Sequence, residues 1–243
     1  MAATAKLAPT FPWDHDIPKT PFWSNIEYTT ARNFLQCFTE GELLQKQLDD
    51  ALPLRGKLES LEIFLDESLE AREYASRPQS LHRADYQLWM KLKLAQSSIA
   101  KDLEKRQEQE KIVREMYANG PYDPVSGTNT KNMSALLNLS GVLEYDGLHA
   151  EAEAAAREVL PWLQKHEMLG ADAPQVLSCM RTIARTTGKQ RHWSESNLWA
   201  GKVEELIDGM GGRRFAKYEE DERKCLEELR EELKAWKGDH KFD

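Results

Sequence analysis

Cysteine is scarce in this chain. Three in 243 residues, Cys37, Cys179 and Cys225, are scattered and odd in number, which excludes a disulfide framework. That usage suits a reducing compartment, and the expected location is cytoplasmic. Long apolar runs are missing too: no window approaches the roughly 18 apolar residues that cross a bilayer. The opening Met-Ala-Ala-Thr-Ala-Lys-Leu-Ala-Pro has no apolar stretch of the kind a secretory leader needs. Basic residues are outnumbered, 33 against 41 acidic ones, for a formal net charge of -8. Nucleic-acid binding needs a basic footprint, and an anionic membrane surface repels an acidic protein, so neither is an expected partner. With 13 glycines and 10 prolines the chain also lacks the turn residues of a β-sandwich.

Catalytic patterns are equally sparse. The six histidines, at 15, 82, 149, 166, 192 and 240, form no His-Glu-x-x-His motif and have no Cys-x-x-Cys beside them. There is no Gly-x-Ser-x-Gly and no phosphate-cradling glycine loop after a strand. Asp14-His15-Asp16 is a weak metal or acid/base candidate inside a proline-rich arm, and Asp49-Asp50 lacks the further carboxylates of a magnesium–diphosphate site. Gly209 to Arg214 is glycine-rich but follows a helical pattern, so it reads as a helix C-cap and turn. No catalytic residue, metal ligand or cofactor is assigned.

What is present is helical periodicity, and the expected class is all-α. Residues 1–23 are an exception: Pro9, Pro12, Pro18 and Pro21 punctuate Phe11, Trp13, Phe22 and Trp23, which predicts an extended arm. Its aromatics either pack onto the helical body or dock on a partner. Residues 24–118 read as an N-terminal helical region. Ser24 with Glu27 resembles a capping box opening a helix to about Thr39, interrupted by Gly41. A second helix is expected through Leu43, Leu44, Leu48 and Leu52 to Pro53, and a third over about 54–76, ending before Arg77-Pro78.

Ser80 opens what reads as one long helix to about 118. Leu81, Leu88, Leu92, Ala95, Ile99 and Leu103 form its apolar stripe, and Lys101–Lys111 a charged continuation. That run reads as a solvated face or as a coiled-coil contact with a second chain. Residues 119–131 are a loop rich in turn formers. Residues 213–238 end the chain as a helix whose stripe of Tyr218, Cys225, Leu226, Leu229, Leu233 and Trp236 suits a cap.

Between them, 132–212 carry a repeat. Leu136, Leu139 and Leu143 make one buried stripe, and Gly147 permits a tight turn. Ala152, Ala155 and Ala156 allow close helix approach, Val159 and Leu160 continue the buried face, and Pro174 suits a helix first turn. Asn138-Leu139-Ser140, Gly147, Glu151-Ala152-Glu153, Leu169-Gly170 and Ala173-Pro174 resemble the tetratricopeptide repeat (TPR) family, in its kinesin-light-chain form. A weaker copy follows about 44 residues later, in Ile183-Ala184, Trp193, Glu195, Ser196 and Met210-Gly211, with Arg191 in place of the turn glycine. Pro161 is expected to kink the second helix of the first copy.

The resemblance implies antiparallel helical hairpins stacked as a short solenoid, whose first helices line a concave groove. It places Ser134, Leu137, Asn138 and Gly141 there from the first copy, and Ser178, Arg181, Thr182 and Arg185 from the second. Asn138 would hydrogen-bond a peptide backbone. By spacing alone, Arg181, Arg185 and Lys189 share one helix face, a cationic stripe fit for a carboxylate-bearing ligand; the alternative is arginines neutralised by Glu144 or by the C-terminal helix. Tyr145 and Trp193 complete the candidate contacts. The leading expectation is a non-enzymatic adaptor with a protein or peptide partner. One alternative is a small apolar ligand, bound or converted in an aromatic-lined cavity to which several of the seven tryptophans contribute. The other is a homo-oligomeric structural subunit built on the helix 80–118 and the C-terminal helix.

Overall fold

The computed structural model describes residue 11 and residues 14–46 and 48–239; Pro9, Pro12, Trp13, Gln47 and His240 lie outside them. The chain is all-α; among the described residues, helices are joined by turns and one small hairpin. It divides into two compact units. One takes its residues from 12–135; the other takes them from 136–243 together with Phe11.

In the N-terminal unit the first helix starts later than Ser24. The first helix, α1, is Tyr28–Leu35, and its N-cap is Glu27, whose carboxylate accepts from Thr30 N–H at 3.0 Å. Ser24 instead donates its hydroxyl to Pro21 O, closing a turn at the end of the proline-rich arm. The capping box lies at Thr39 and Glu42, and Gly41, expected as an interruption, sits inside α2, Glu40–Gln45. Helix α2 stops well short of Leu52: Asp49 turns the chain by accepting from Ala51 N–H at 2.9 Å. Helix α3, Leu54–Ala75, follows Pro53 as the spacing predicts.

The long helix expected over 80–118 is three helices: α4, Leu81–Ala84; α5, Tyr86–Asp102; and α6, Arg106–Ala118. Asp85 ends the first and caps the second, accepting from Leu88 N–H. Glu104 takes a left-handed φ of 61°, and Lys105 N–H donates back to Ala100 O at 2.8 Å, a helix-ending turn. Helix α6 then packs on α5, with Lys93 and Glu115 paired at 2.9 Å between them. The charged run is therefore a reversal, and the continuous helix that a coiled coil with a second chain needs is absent from it. Met116, fully buried, joins Phe34, Leu61, Leu65, Leu92 and Ile99 in one core cluster, which also takes Phe22 and Trp23 from the arm. Lys57, buried beside them, donates to Pro21 O at 2.7 Å.

Residues 119–131 contain a short antiparallel hairpin, β1, Tyr122–Asp123, and β2, Thr128–Asn129, with Tyr122 opposite Asn129. Helix α7, Met133–Tyr145, begins the stretch in which a repeat is expected, and α8, His149–Lys165, follows the turn at Gly147, whose φ is +79°. Pro161 lies within α8, which continues helical to Lys165. Helix α9, Pro174–Lys189, starts at the proline; α10, Trp193–Asp208, follows Arg191, which adopts a φ of 65° at the place of the expected glycine. A 3-10 turn, Ala216–Tyr218, leads into α11, Glu219–Asp239. Helix α9 packs against α8, α10 and α11, and α10 also against α11. Leu177, Ile183, Val203, Ile207, Phe215 and Leu229 are among the buried apolar residues of this unit. A Cβ added at Gly188 would stand 2.6 Å from Leu233 Cδ2 and 3.2 Å from Ser196 Oγ, so glycine allows α10 and α11 to close on α9. Among the described residues no helix is long and apolar enough to cross a membrane.

Candidate functional site

Helix α7 carries Ser134, Asn138, Gly141 and Tyr145 at steps of four, three and four, which places them in one line. All four are exposed, Tyr145 at 70%, and a Cβ at Gly141 would meet nothing within 4 Å. The opposite side of the helix holds Leu136, Leu139 and Leu143, all buried. This is the stripe arrangement of an amphipathic helix, here with small and polar residues on the open face.

The matching positions on α9 are not open in the same way. Ser178 is exposed, but Arg181 and Thr182 are each 6% exposed and Arg185 is half-buried. Arg181 donates through Nη1 to Glu222 Oε2 of α11, itself 7% exposed. Arg185 Nε donates to Glu232 Oε2 at 2.7 Å and stands 3.8 Å from Glu144 Oε1 on α7. Lys189 Nζ lies 3.7 Å from the centroid of the Trp236 ring. The stripe expected to await a carboxylate-bearing partner is thus matched by carboxylates and an aromatic ring of the chain itself. The physical reason is simple: guanidinium groups removed from water need charge-matched partners, and α11 supplies them. Trp193 opens α10, the second helix of its hairpin, and so does not belong to the line of first helices.

Glu144 sits where these helices meet. Burial pushes its carboxyl above the ordinary 4.5, against the opposing pull of Arg185 and of a hydrogen bond from Thr182. A carboxyl whose folded-state pKa is raised adds stability that is complete below its unfolded value and is lost as pH rises through the folded one. Titrating urea midpoints between pH 4 and pH 7 is therefore expected to show the wild type losing more stability on the way up than Glu144→Gln, which cannot ionise. Parallel profiles for the two proteins would contradict that assignment.

Further polar contacts tie α8 to α10 and to the end of α9. Arg157 on α8 pairs with Glu153 at 2.7 Å and with Glu195 on α10, while Gln190 donates to Glu153 at 2.6 Å. Trp199 lies beside this network, with Lys202 Nζ 4.2 Å from its ring centroid. Arg157–Glu195 and Gln190–Glu153 join residues 38 and 37 apart, which helical spacing cannot reveal, whereas Glu153 and Arg157 are one helical turn apart.

Reactive groups are muted elsewhere. Burial pushes the Cys37 and Cys179 thiols up to about 12, so neither offers a thiolate nucleophile near neutrality. Among the described residues no three His, Cys, Asp or Glu side chains gather as a metal site. At Asp14-His15-Asp16 the His15 N–H donates to the Tyr28 hydroxyl oxygen at 3.1 Å, a backbone anchor for the arm. On the N-terminal unit an open depression lies along α3 beside Leu69, Glu70 and the 70%-exposed Tyr74. Two of its carboxylates are engaged: Glu67 with Lys46 at 2.8 Å and Glu73 with Leu81 N–H at 2.9 Å.

No protein-family model matches the chain, and no curated protein and no solved structure is significantly similar to it.

Proposed function

We propose that the C-terminal unit is a short TPR-like module that binds a protein or peptide partner along the open line of α7. Two features support the repeat reading. The hairpins α7–α8 and α9–α10 turn at Gly147 and Arg191, both left-handed and 44 residues apart. The inner helix α9 is flanked by α8, α10 and α11, as in a stacked array in which α11 takes the place of the next first helix.

The observation that carries the binding site is the exposure of Ser134, Asn138, Gly141 and Tyr145 beside charges that are already compensated. An open glycine lets a main chain approach closely, and Asn138 offers both a donor and an acceptor to a peptide bond. Tyr145 gives a large amphipathic contact at low entropy cost. The partner would then be recognised through its backbone and an apolar side chain, with Arg181 and Arg185 holding α11 in place.

The test is affinity capture from the native lysate with wild type and the Asn138→Ala/Tyr145→Ala protein, followed by titration of the captured partner. Loss of binding by about tenfold or more is expected, since two central interface contacts together are worth at least about 1.4 kcal/mol. The helical circular dichroism should be unchanged, because both side chains are exposed. A variant that keeps the same partners at unchanged affinity rules the α7 line out.

A further inference from the structure

We infer that the turn between α10 and α11 is a receptor for one aromatic side chain on a proline-flanked, acidic segment, and that Phe11 of the chain's own arm fills it. Phe11 is only 4% exposed. Its ring stacks on Phe215, with centroids 5.2 Å apart and planes 15° apart, and Tyr218 leans against it at 5.9 Å. Two cations complete the surround: Lys217 Nζ is 4.8 Å and Arg214 Cζ 5.5 Å from the Phe11 centroid. An aromatic face attracts both groups, so the site selects a flat π system over an aliphatic side chain of similar volume.

The receptor is local in sequence. Its four residues fall within five positions of sequence, 214 to 218, and Phe215, 1% exposed, is part of the core of the unit. Tyr218 N–H donates to Phe215 O at 2.9 Å and Arg213 N–H to Met210 O at 3.0 Å, while Gly212 turns the chain with a φ of +73°. The ligand comes from the far end of the sequence. Its surroundings, Pro9-Thr10-Phe11-Pro12-Trp13-Asp14-His15-Asp16, place prolines on either side of the ring and two acids after it. In a free segment of this composition, prolines reduce the backbone freedom to be lost on docking, and the acids suit a site that carries Arg213, Arg214 and Lys217.

Covalent attachment supplies an effective concentration of about 1 mM, so occupancy of about nine-tenths in cis corresponds to a Kd of about 0.1 mM for the same segment in trans. A partner segment with the same chemistry competes for this site and releases the arm.

The experiment uses the full-length chain and a fluorescent peptide covering residues 7–16, followed by anisotropy. Phe11→Ala empties the site and is expected to bind the peptide saturably, with a Kd of about 0.1 mM or tighter. Wild type should bind about tenfold more weakly, because Phe11 competes. A peptide carrying the same Phe11→Ala change should not bind. Adding Arg214→Glu and Lys217→Glu to the emptied protein should weaken binding about tenfold or more while leaving Phe215 in place. Equal binding to wild type and Phe11→Ala, or no saturation of Phe11→Ala by about 10 mM, a hundredfold above the expected Kd, overturns the assignment. Should Phe11→Ala lose helical circular dichroism, the wild-type peptide is expected to restore it, and failure to do so overturns the assignment equally.

Discussion

Arg181→Ala is expected to destabilise the C-terminal unit by about 3–5 kcal/mol, because it leaves Glu222 buried without its partner. Both side chains are more than nine-tenths buried, and they join α9 to α11 across 41 residues of sequence. The cost arises mostly from the orphaned carboxylate, and only in small part from the bond itself. That separation is testable: Arg181→Met combined with Glu222→Leu removes both charges and should be neutral or more stable than wild type by up to about 4 kcal/mol. Urea denaturation followed by hydrogen exchange of α9 and α11 amides measures both variants. A single-variant loss below about 1 kcal/mol would mean that water reaches the pair as it reaches a surface bridge. The Arg185 pairs, half-exposed, should each matter far less.

The second large effect belongs to the other unit. Phe34→Ala should cost about 3–5 kcal/mol through lost transfer energy and the cavity left behind. Phe34 is fully buried and touches three rings: Trp23 at 5.9 Å, Phe38 at 4.9 Å and Phe64 at 5.7 Å. Those rings come from the arm, from the turn between α1 and α2, and from α3, so no single neighbour can collapse into the space. Exchange protection should fall first at the buried amides around Leu61, Leu92 and Ile99. Unchanged protection there, with a loss confined to residues after 136, would contradict the division into two units.

The readable parts of the fold share a mechanism. Pro53 and Pro174 start α3 and α9 because a missing N–H costs nothing in a first turn. Gly147 marks a turn because only a left-handed residue closes it, and the same need appears at Arg191 despite its side chain. The break at Glu104 was illegible for the opposite reason. Lys101 to Lys111 has the helix-forming composition and charge spacing of a continuous helix, and no glycine or proline interrupts it. The chain reverses there because α6 buries Ile112, Val113 and Met116, a gain larger than the local cost of one left-handed glutamate.

The candidate site divides in the same way. Ser134, Asn138, Gly141 and Tyr145 lie on one exposed face, a relation within one helix that period 3.6 determines. Arg181 and Arg185 share a face for that reason as well, but their partners do not follow from it. Glu222 and Glu232 lie 41 and 47 residues away, and only the seating of α11 on α9 chooses them from many carboxylates. Phe11 likewise reads as one of several aromatics in a proline-rich arm until Phe215, Tyr218, Arg214 and Lys217 meet around it. The sequence by itself determined the all-α class, several helix starts and the buried faces of several helices, because these depend on neighbours within a turn or two. The tertiary structure alone decided which charges are neutralised, where the charged run reverses and where the arm is held, because each depends on packing between segments that are distant in the chain.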